Sequence, residues 1–293
     1  MQQTSAPVEF KKHREFGDII NDTFMFIRQN LKPLLRVFIY LCGFFVLATV
    51  GSTIMQQISS QKLIATAGQY DSGRVFARMF TFQYLLVFAF GLLNYSAMTV
   101  SILGYIVLYI EKGNIAPTVE EVWAYFKYYY MRVLSSSVVV SIFLLVCFLC
   151  CLIPGIYVFP AMSIFFPVMI MENASLSYSF SRSFNLLKGE YWTSAGAIFI
   201  IWIITYAATT FTSLPAIAVT FFSAFTSATH TLSTGTIIFS SIMQALAQVF
   251  MIIPLVGATL CYFNLVEHKD NTGLMDRLSQ MGQKKEGLSN EEY

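Results

Sequence analysis

Cys147, Cys150 and Cys151 form the densest group of potential nucleophiles in the chain, a C-x-x-C-C sequence of the kind that supports thiol exchange or metal binding. Either role needs a base or cation nearby to lower a thiol pKa. The flanking Phe148, Leu149 and Leu152 supply neither, so the three read as small apolar helix residues. His13, His230 and His268 lie far outside the spacing of any zinc motif and read as surface residues. With no Gly-rich phosphate loop and no nucleophile-elbow serine, the sequence assigns no catalytic residue, no metal site and no cofactor.

Amides and carboxylates carry the remaining chemistry. Asn94 stands in the middle of a long apolar run, and Gln244 and Gln248 are four apart in another. That spacing points both glutamines in one direction, toward Asn94 or toward Ser137 and Ser141. Their expected role is hydrogen bonding between helices; the alternative is a polar path for a substrate. Asp, Glu, Lys and Arg are missing from every span interior, which argues against an ion-coupled pump. Glu111, Glu172 and Glu267 each follow an apolar run directly. A carboxylate there faces the negative end of a helix dipole and loses solvation near lipid, so it should recruit a cation. Arg28, Lys127 and Arg182 are the available partners, with Arg132 and Lys188 beside them, and such pairs would clamp surface helices onto the spans.

The elements that hold these groups follow from composition. The 293 residues are 56% hydrophobic and 12% charged, with a mean hydropathy of +0.62, which fits a lipid-embedded protein and neither a soluble globule nor a disordered chain. Five cysteines are too few to staple so long a chain. A net charge of +2, with 18 Lys and Arg scattered between apolar blocks, excludes nucleic acid as a partner. A charge at the bilayer centre costs at least about 2.5 kcal/mol. Charge-free runs therefore mark the spans: Val37 to Gln61, Met79 to Ile110, Val133 to Met171 and Tyr191 to Val266. A span takes about 20 residues. The third run, at 39 residues, must reverse once, at Pro154-Gly155, and the fourth, at 76, holds two spans and a Ser/Thr-rich connector from Thr209 to Thr236, broken at Pro215 and Gly235.

Six spans result, near 37–58, 82–110, 133–153, 156–171, 192–213 and 237–266, within a membrane domain of residues 16–267. Residues 1–15 read as a charged leader without a signal peptide and 268–293 as a polar cytoplasmic tail. An even count puts both ends on one side, together with fifteen basic residues against three (Lys62, Arg74, Arg78) on the other. A seventh span would leave eleven against seven, so six spans with cytoplasmic termini in a bacterial-type inner membrane is the preferred topology.

Each pair of spans also follows an amphipathic stretch on the inner face. In the first, Phe16, Ile20, Phe24, Ile27 and Leu31 form a helical stripe that Pro33 kinks or ends. In the second, Thr118 and Glu121 make a capping box ahead of Val122, Phe126 and Tyr129, and Trp123, Tyr125, Tyr128 and Tyr130 suit a wet interface. In the third, Ser175 caps a stripe of Leu176, Phe180, Phe184 and Leu187, closed by Gly189. A shorter fourth piece begins at Thr272. The expected fold is all-α: three helical hairpins, each preceded by an amphipathic helix, with pseudo-threefold character.

Pro167, Glu172, Ser175, Arg182, Ser183, Leu186, Lys188, Gly189 and Trp192, with the upstream Pro154-Gly155 turn, resemble the recurrent segment of the membrane-domain family named after glycerophosphoryl diester phosphodiesterase. The resemblance extends over Phe16 to Glu267 and implies a six-helix integral membrane protein. Some members carry a separate phosphodiesterase domain, and the 26 residues after Glu267 are too few for one, so no activity transfers. The expected role is structural, assembly or regulatory, through the inner-face helices, with the bilayer, anionic headgroups and a membrane protein as partners. A transporter or lipid-handling permease lined by Asn94, Gln244 and Gln248 is the second reading. A lipid-acting enzyme, with Glu172 as general acid/base, is the third.

Overall fold

A backbone that crosses lipid must satisfy its own hydrogen bonds, and this chain does so with helices alone among the described residues. The computed structural model describes residues 7–66, 82–150, 152–226 and 232–270. Among these residues eight α-helices follow in order: α1 (Phe16–Thr66), α2 (Phe82–Glu111), α3 (Val119–Cys150), α4 (Leu152–Met171), α5 (Leu176–Leu187), α6 (Tyr191–Thr226), α7 (Thr234–Ala247) and α8 (Ile252–Asp270). A single 3₁₀ turn, Gln248–Met251, joins α7 to α8. Six segments are long and apolar enough to span a membrane: most of α1, α2, α3, α4 and α6, and the joined piece Thr234–Asp270. The protein is an integral, multi-pass membrane protein.

The neighbours α1/α2, α2/α3, α3/α4, α4/α5 and α6/α7 pack against each other, and α8 touches α1, α2, α4, α5 and α6. From Ile252 to Val266 every residue of α8 is buried, so this helix is the axis of the bundle. The three hairpins are therefore not equivalent: a threefold arrangement would bury the second, fourth and sixth spans alike, whereas the sixth is 78% buried against 44% for the second. Both described ends of the chain lie on one face, where His13 meets His268 and Arg14 meets Asn264. We call it the terminal face.

Several sequence expectations need correction. Pro33 does not end the first helix, because α1 runs through it for 51 residues, about 76 Å at 1.5 Å per residue. That is far more than a bilayer core of about 30 Å, so the amphipathic stretch and the span are one rod, part of which projects from the membrane. In α3 the two are likewise continuous. Only the third unit has a separate surface helix, α5, opened by Ser175, whose hydroxyl accepts from the Tyr178 amide. The expected stripe of α1 is also displaced. Phe16, Phe24 and Leu31 are exposed, and the buried face is Ile19, Thr23, Phe26, Asn30 and Leu34. Thr23 and Asn30 are admitted because each back-bonds to a carbonyl one turn earlier, Ile19 and Phe26, and Asn30 also accepts from the Tyr105 hydroxyl at 2.9 Å.

The reversal between α3 and α4 precedes Pro154, which occupies the first turn of α4 where its missing N–H leaves no bond unmade. The expected connector from Thr209 is helical to Thr226 in α6, through Pro215. The piece at Thr272, Arg74 and Arg78, and His230 lie outside the described residues.

The axis depends on close approach. A Cβ on Gly257 of α8 would lie 2.5 Å from Ile201 Cδ1 and 3.2 Å from its Cγ2, on α6. Gly257→Leu should therefore cost about 1–3 kcal/mol through overpacking, and Ile201→Ala should recover part of it. Thermal unfolding in detergent measures both, and an unchanged Tm for Gly257→Leu would show that α6 and α8 separate freely.

Candidate functional site on the terminal face

Arg14 organises the start of the chain. Its guanidinium is buried and every nitrogen is used: Nε donates to Asp22 Oδ2 at 2.8 Å, Nη1 to the carbonyls of Phe10 and Lys12 at 2.7 and 3.0 Å, and Nη2 to the carbonyl of Glu9. The Arg14 amide donates to Asn264 Oδ1 on α8 at 2.7 Å. This holds Val8 and Phe10 in the core, with the Phe10 ring edge-on to Phe26 at 5.0 Å and to Phe263 at 5.6 Å. The leader read over residues 1–15 is corrected accordingly: residues 8–14 are a strap built into the domain. A hydropathy window misses it because Val8 and Phe10 are two apolar residues among charges. The nearest signal was the lone Asn264 in the last apolar run.

Glu172 sits where the C-terminus of α4 meets α5 and α8. Its Oε1 accepts from Arg182 Nε at 3.3 Å and from the Tyr262 hydroxyl at 3.1 Å. Arg182 also donates through Nη2 to Asp270 Oδ2 at 2.5 Å, so one guanidinium ties α4, α5 and α8 together. Burial alone would lower the Arg182 pKa, but Asp270 and Glu172 together hold it above its ordinary value. Tyr178, on the same turn of α5, is pushed up by the adjacent Glu172 carboxylate.

The glutamate parallel has a backbone basis in two of its three occurrences. After Glu111, Gly113 adopts φ +69° and the amides of Asn114 and Gly113 donate to the carbonyls of Tyr109 and Ile110. After Glu172, Asn173 adopts φ +47° and the amides of Ala174 and Asn173 donate to Met169 and Ile170. Both are Schellman endings, with the left-handed residue filled once by glycine and once by asparagine. Arg132 of α3 secures the second one, donating to Asn173 Oδ1 at 2.8 Å and to the Ala174 carbonyl. Glu267 differs, since α8 continues three residues beyond it.

The other cation partners do not meet their glutamates. Lys127 lies 5.3 Å over the Trp123 ring, and Lys112 pairs with Glu121 at 2.5 Å, in place of a Glu111–Lys127 bridge. Glu121 instead completes the capping box, accepting from the Thr118 amide at 2.7 Å. Glu111, Arg28 and Lys188 form no ion pair among the described residues. Sequence reading also kept the histidines apart, whereas His13 and His268 share a hydrogen bond between their Nε2 atoms, with ring centroids 4.0 Å apart.

Inside the bundle Asn94 Nδ2 donates to Gln248 Oε1 at 2.7 Å. Gln244 is exposed instead of joining them. The Gln248 amide bonds three and two residues back, to Ala245 and Leu246, so the tighter winding swings the two glutamines apart. Ser137 meets Ser96 at 2.9 Å, not an amide. Cys147 is half-buried and free, and the side chains of Cys150 and Cys151 lie outside the described residues.

Chemically the terminal face is a set of acceptors and cations that fasten three elements to α8. Comparison with family models, with curated proteins and with solved structures returns no match to this chain.

Two measurements test the fastening. Glu172→Gln and Arg182→Gln, alone and together, should show a coupling on the order of 1 kcal/mol in detergent unfolding, while additive losses would mean solvated, independent charges. Because the folded state raises the Tyr178 pKa, its share of stability is complete below the ordinary value of about 10 and is lost as pH climbs past the folded one. Phenolate absorbance should show a late-titrating tyrosine that Tyr178→Phe removes.

Proposed function

We propose that this is a protein of the cytoplasmic membrane with both termini in the cytoplasm, acting without catalysis as a structural, assembly or regulatory component through its terminal face. The orientation is supported by the fifteen basic residues on the terminal side of the six spans against three on the other. The role rests on one observation: this face is a cross-tied base that carries an outward display. Arg14 and Arg182 consume their charges internally, whereas Trp123, Tyr128, Tyr178, Trp192, Lys127 and Lys188 are exposed. Aromatic rings suit the headgroup zone, and each cation near an anionic surface contributes about 1 kcal/mol. The likeness to the glycerophosphoryl diester phosphodiesterase membrane-domain family supports the same reading and brings no activity with it.

Purification in mild detergent, with the retained proteins and lipids identified, tests the role. A single stoichiometric protein partner is expected, lost when Trp123→Ser and Lys127→Glu are combined and kept by the unaltered chain. A specific small molecule retained in its place would overturn the structural role. Reporter tags on the two ends should both read cytoplasmic, and opposite compartments would overturn the orientation.

A further inference from the structure

The sixth span is broken at mid-depth. After α7 the chain tightens into the 3₁₀ turn, and because Pro254 at the third position of α8 has no amide to offer, the Phe250 carbonyl takes the Ile252 amide in place of the regular bond one turn on. Regular ridge-and-groove packing lapses there, and beside the break lies a cavity of about 270 Å³. Met251 and Pro254 form one wall and α2, α3, α4 and α6 the others, with Tyr95, Ser141, Phe159 and Trp202 among the lining side chains. Tyr95 is near the middle of α2 and Phe159 near the middle of α4, so the cavity sits at the depth of lipid tails, below any headgroup.

Its chemistry excludes most occupants. The wall carries no charge. Of its serines, Ser137 is bonded to Ser96 and to the Leu134 carbonyl, and Ser163 to the Phe159 carbonyl, which leaves few partners for a water cluster. An apolar void of this size is costly if left empty. Phe159 and Trp202, edge to face at 5.6 Å, line the cavity and are only half-buried, so one side of it meets the lipid-facing surface. The medium at that surface is hydrocarbon.

We propose that this cavity binds one acyl tail of a membrane lipid, held between α2, α3, α4, α6 and the broken sixth span. The inference requires only that the bundle sits in a bilayer and is independent of the role of the terminal face. The filled site replaces the packing that the 3₁₀ turn and Pro254 remove.

The full chain, reconstituted in phosphatidylcholine vesicles containing a small fraction of phosphatidylcholine with a mid-chain diazirine, provides the test. After irradiation, peptide mapping should concentrate the label on the lining segments of α4 and α6, and that label should saturate as the probe fraction rises. Ser141 has no hydrogen bond among the described residues, so Ser141→Phe fills the space without breaking one. This variant should lose most of the cavity label and keep the label on the exposed Phe44 and Leu47 of α1, while Ser141→Ala should label as the unaltered chain does. Label distributed in proportion to exposure, or cavity label that rises linearly without saturating, would overturn the proposal, and the saturation measurement needs no variant to fold.

Discussion

Water does not follow a polypeptide into the hydrocarbon of a bilayer, so each amide and each polar side chain of the spans has to find its partner within the protein. The hydroxyls of this chain do so mostly by bonding back along their own helix, as Thr23 does to Ile19, Thr205 to Ile201 and Thr259 to Leu255. Such side chains then pass as apolar, and they appear freely on buried faces. A side-chain amide carries both a donor and an acceptor, so a back-bond such as that of Asn30 to Phe26 leaves its oxygen unmet, and the amides also join helices: Asn94 to Gln248, Asn30 to Tyr105, Asn264 to the Arg14 backbone. Hydroxyls add a second set of interhelical bonds, Ser96 with Ser137 and Thr49 with the Phe90 carbonyl among them.

The same constraint explains why the charges are arranged in two ways on the terminal face. Arg14 and Arg182 lie against the bundle, where a lone guanidinium is too costly, and each is surrounded by acceptors from separate elements. Lys127 and Lys188 stand outside it, where water and headgroups do the solvating. A buried arginine with its whole donor fork engaged fixes geometry as well as neutralising charge, which lysine could not do from a single ammonium. Arg182 holds the short helix α5 to the axial α8 by this means, and Arg14 holds the strap of residues 8–14 in the shape that brings its own backbone amide to Asn264 and Phe10 to Phe263 on α8.

The six spans and their order were legible because charge exclusion is a property of consecutive residues. Val122, Phe126 and Tyr129 were correctly read as one buried face of α3, but Tyr130, assigned to the wet interface, is buried beside them. In α1 the same reading chose the wrong side, as Phe16, Phe24 and Leu31 are apolar enough to face lipid while Thr23 and Asn30 face the core. Hydropathy cannot tell these sides apart in a membrane protein, because the solvent is as apolar as the interior. Glu172 and Arg182, ten residues apart across one turn, were within reach of a local argument; Tyr262 and Asp270, which complete their cluster, were not.

From the order of residues alone came an all-helical chain, the number of its apolar crossings, the capping box at Thr118 and the serine that opens α5, each set by neighbours within a few positions. Folding in three dimensions decided that α8 is the axis, that His13 and Arg14 close onto the far end of the chain, that Gln244 and Gln248 part company and that a cavity opens beside Pro254. Those outcomes depend on which surfaces meet, and a helix in hydrocarbon carries no hydrophobic signal to say so; close packing and a few polar bonds between distant residues make the choice.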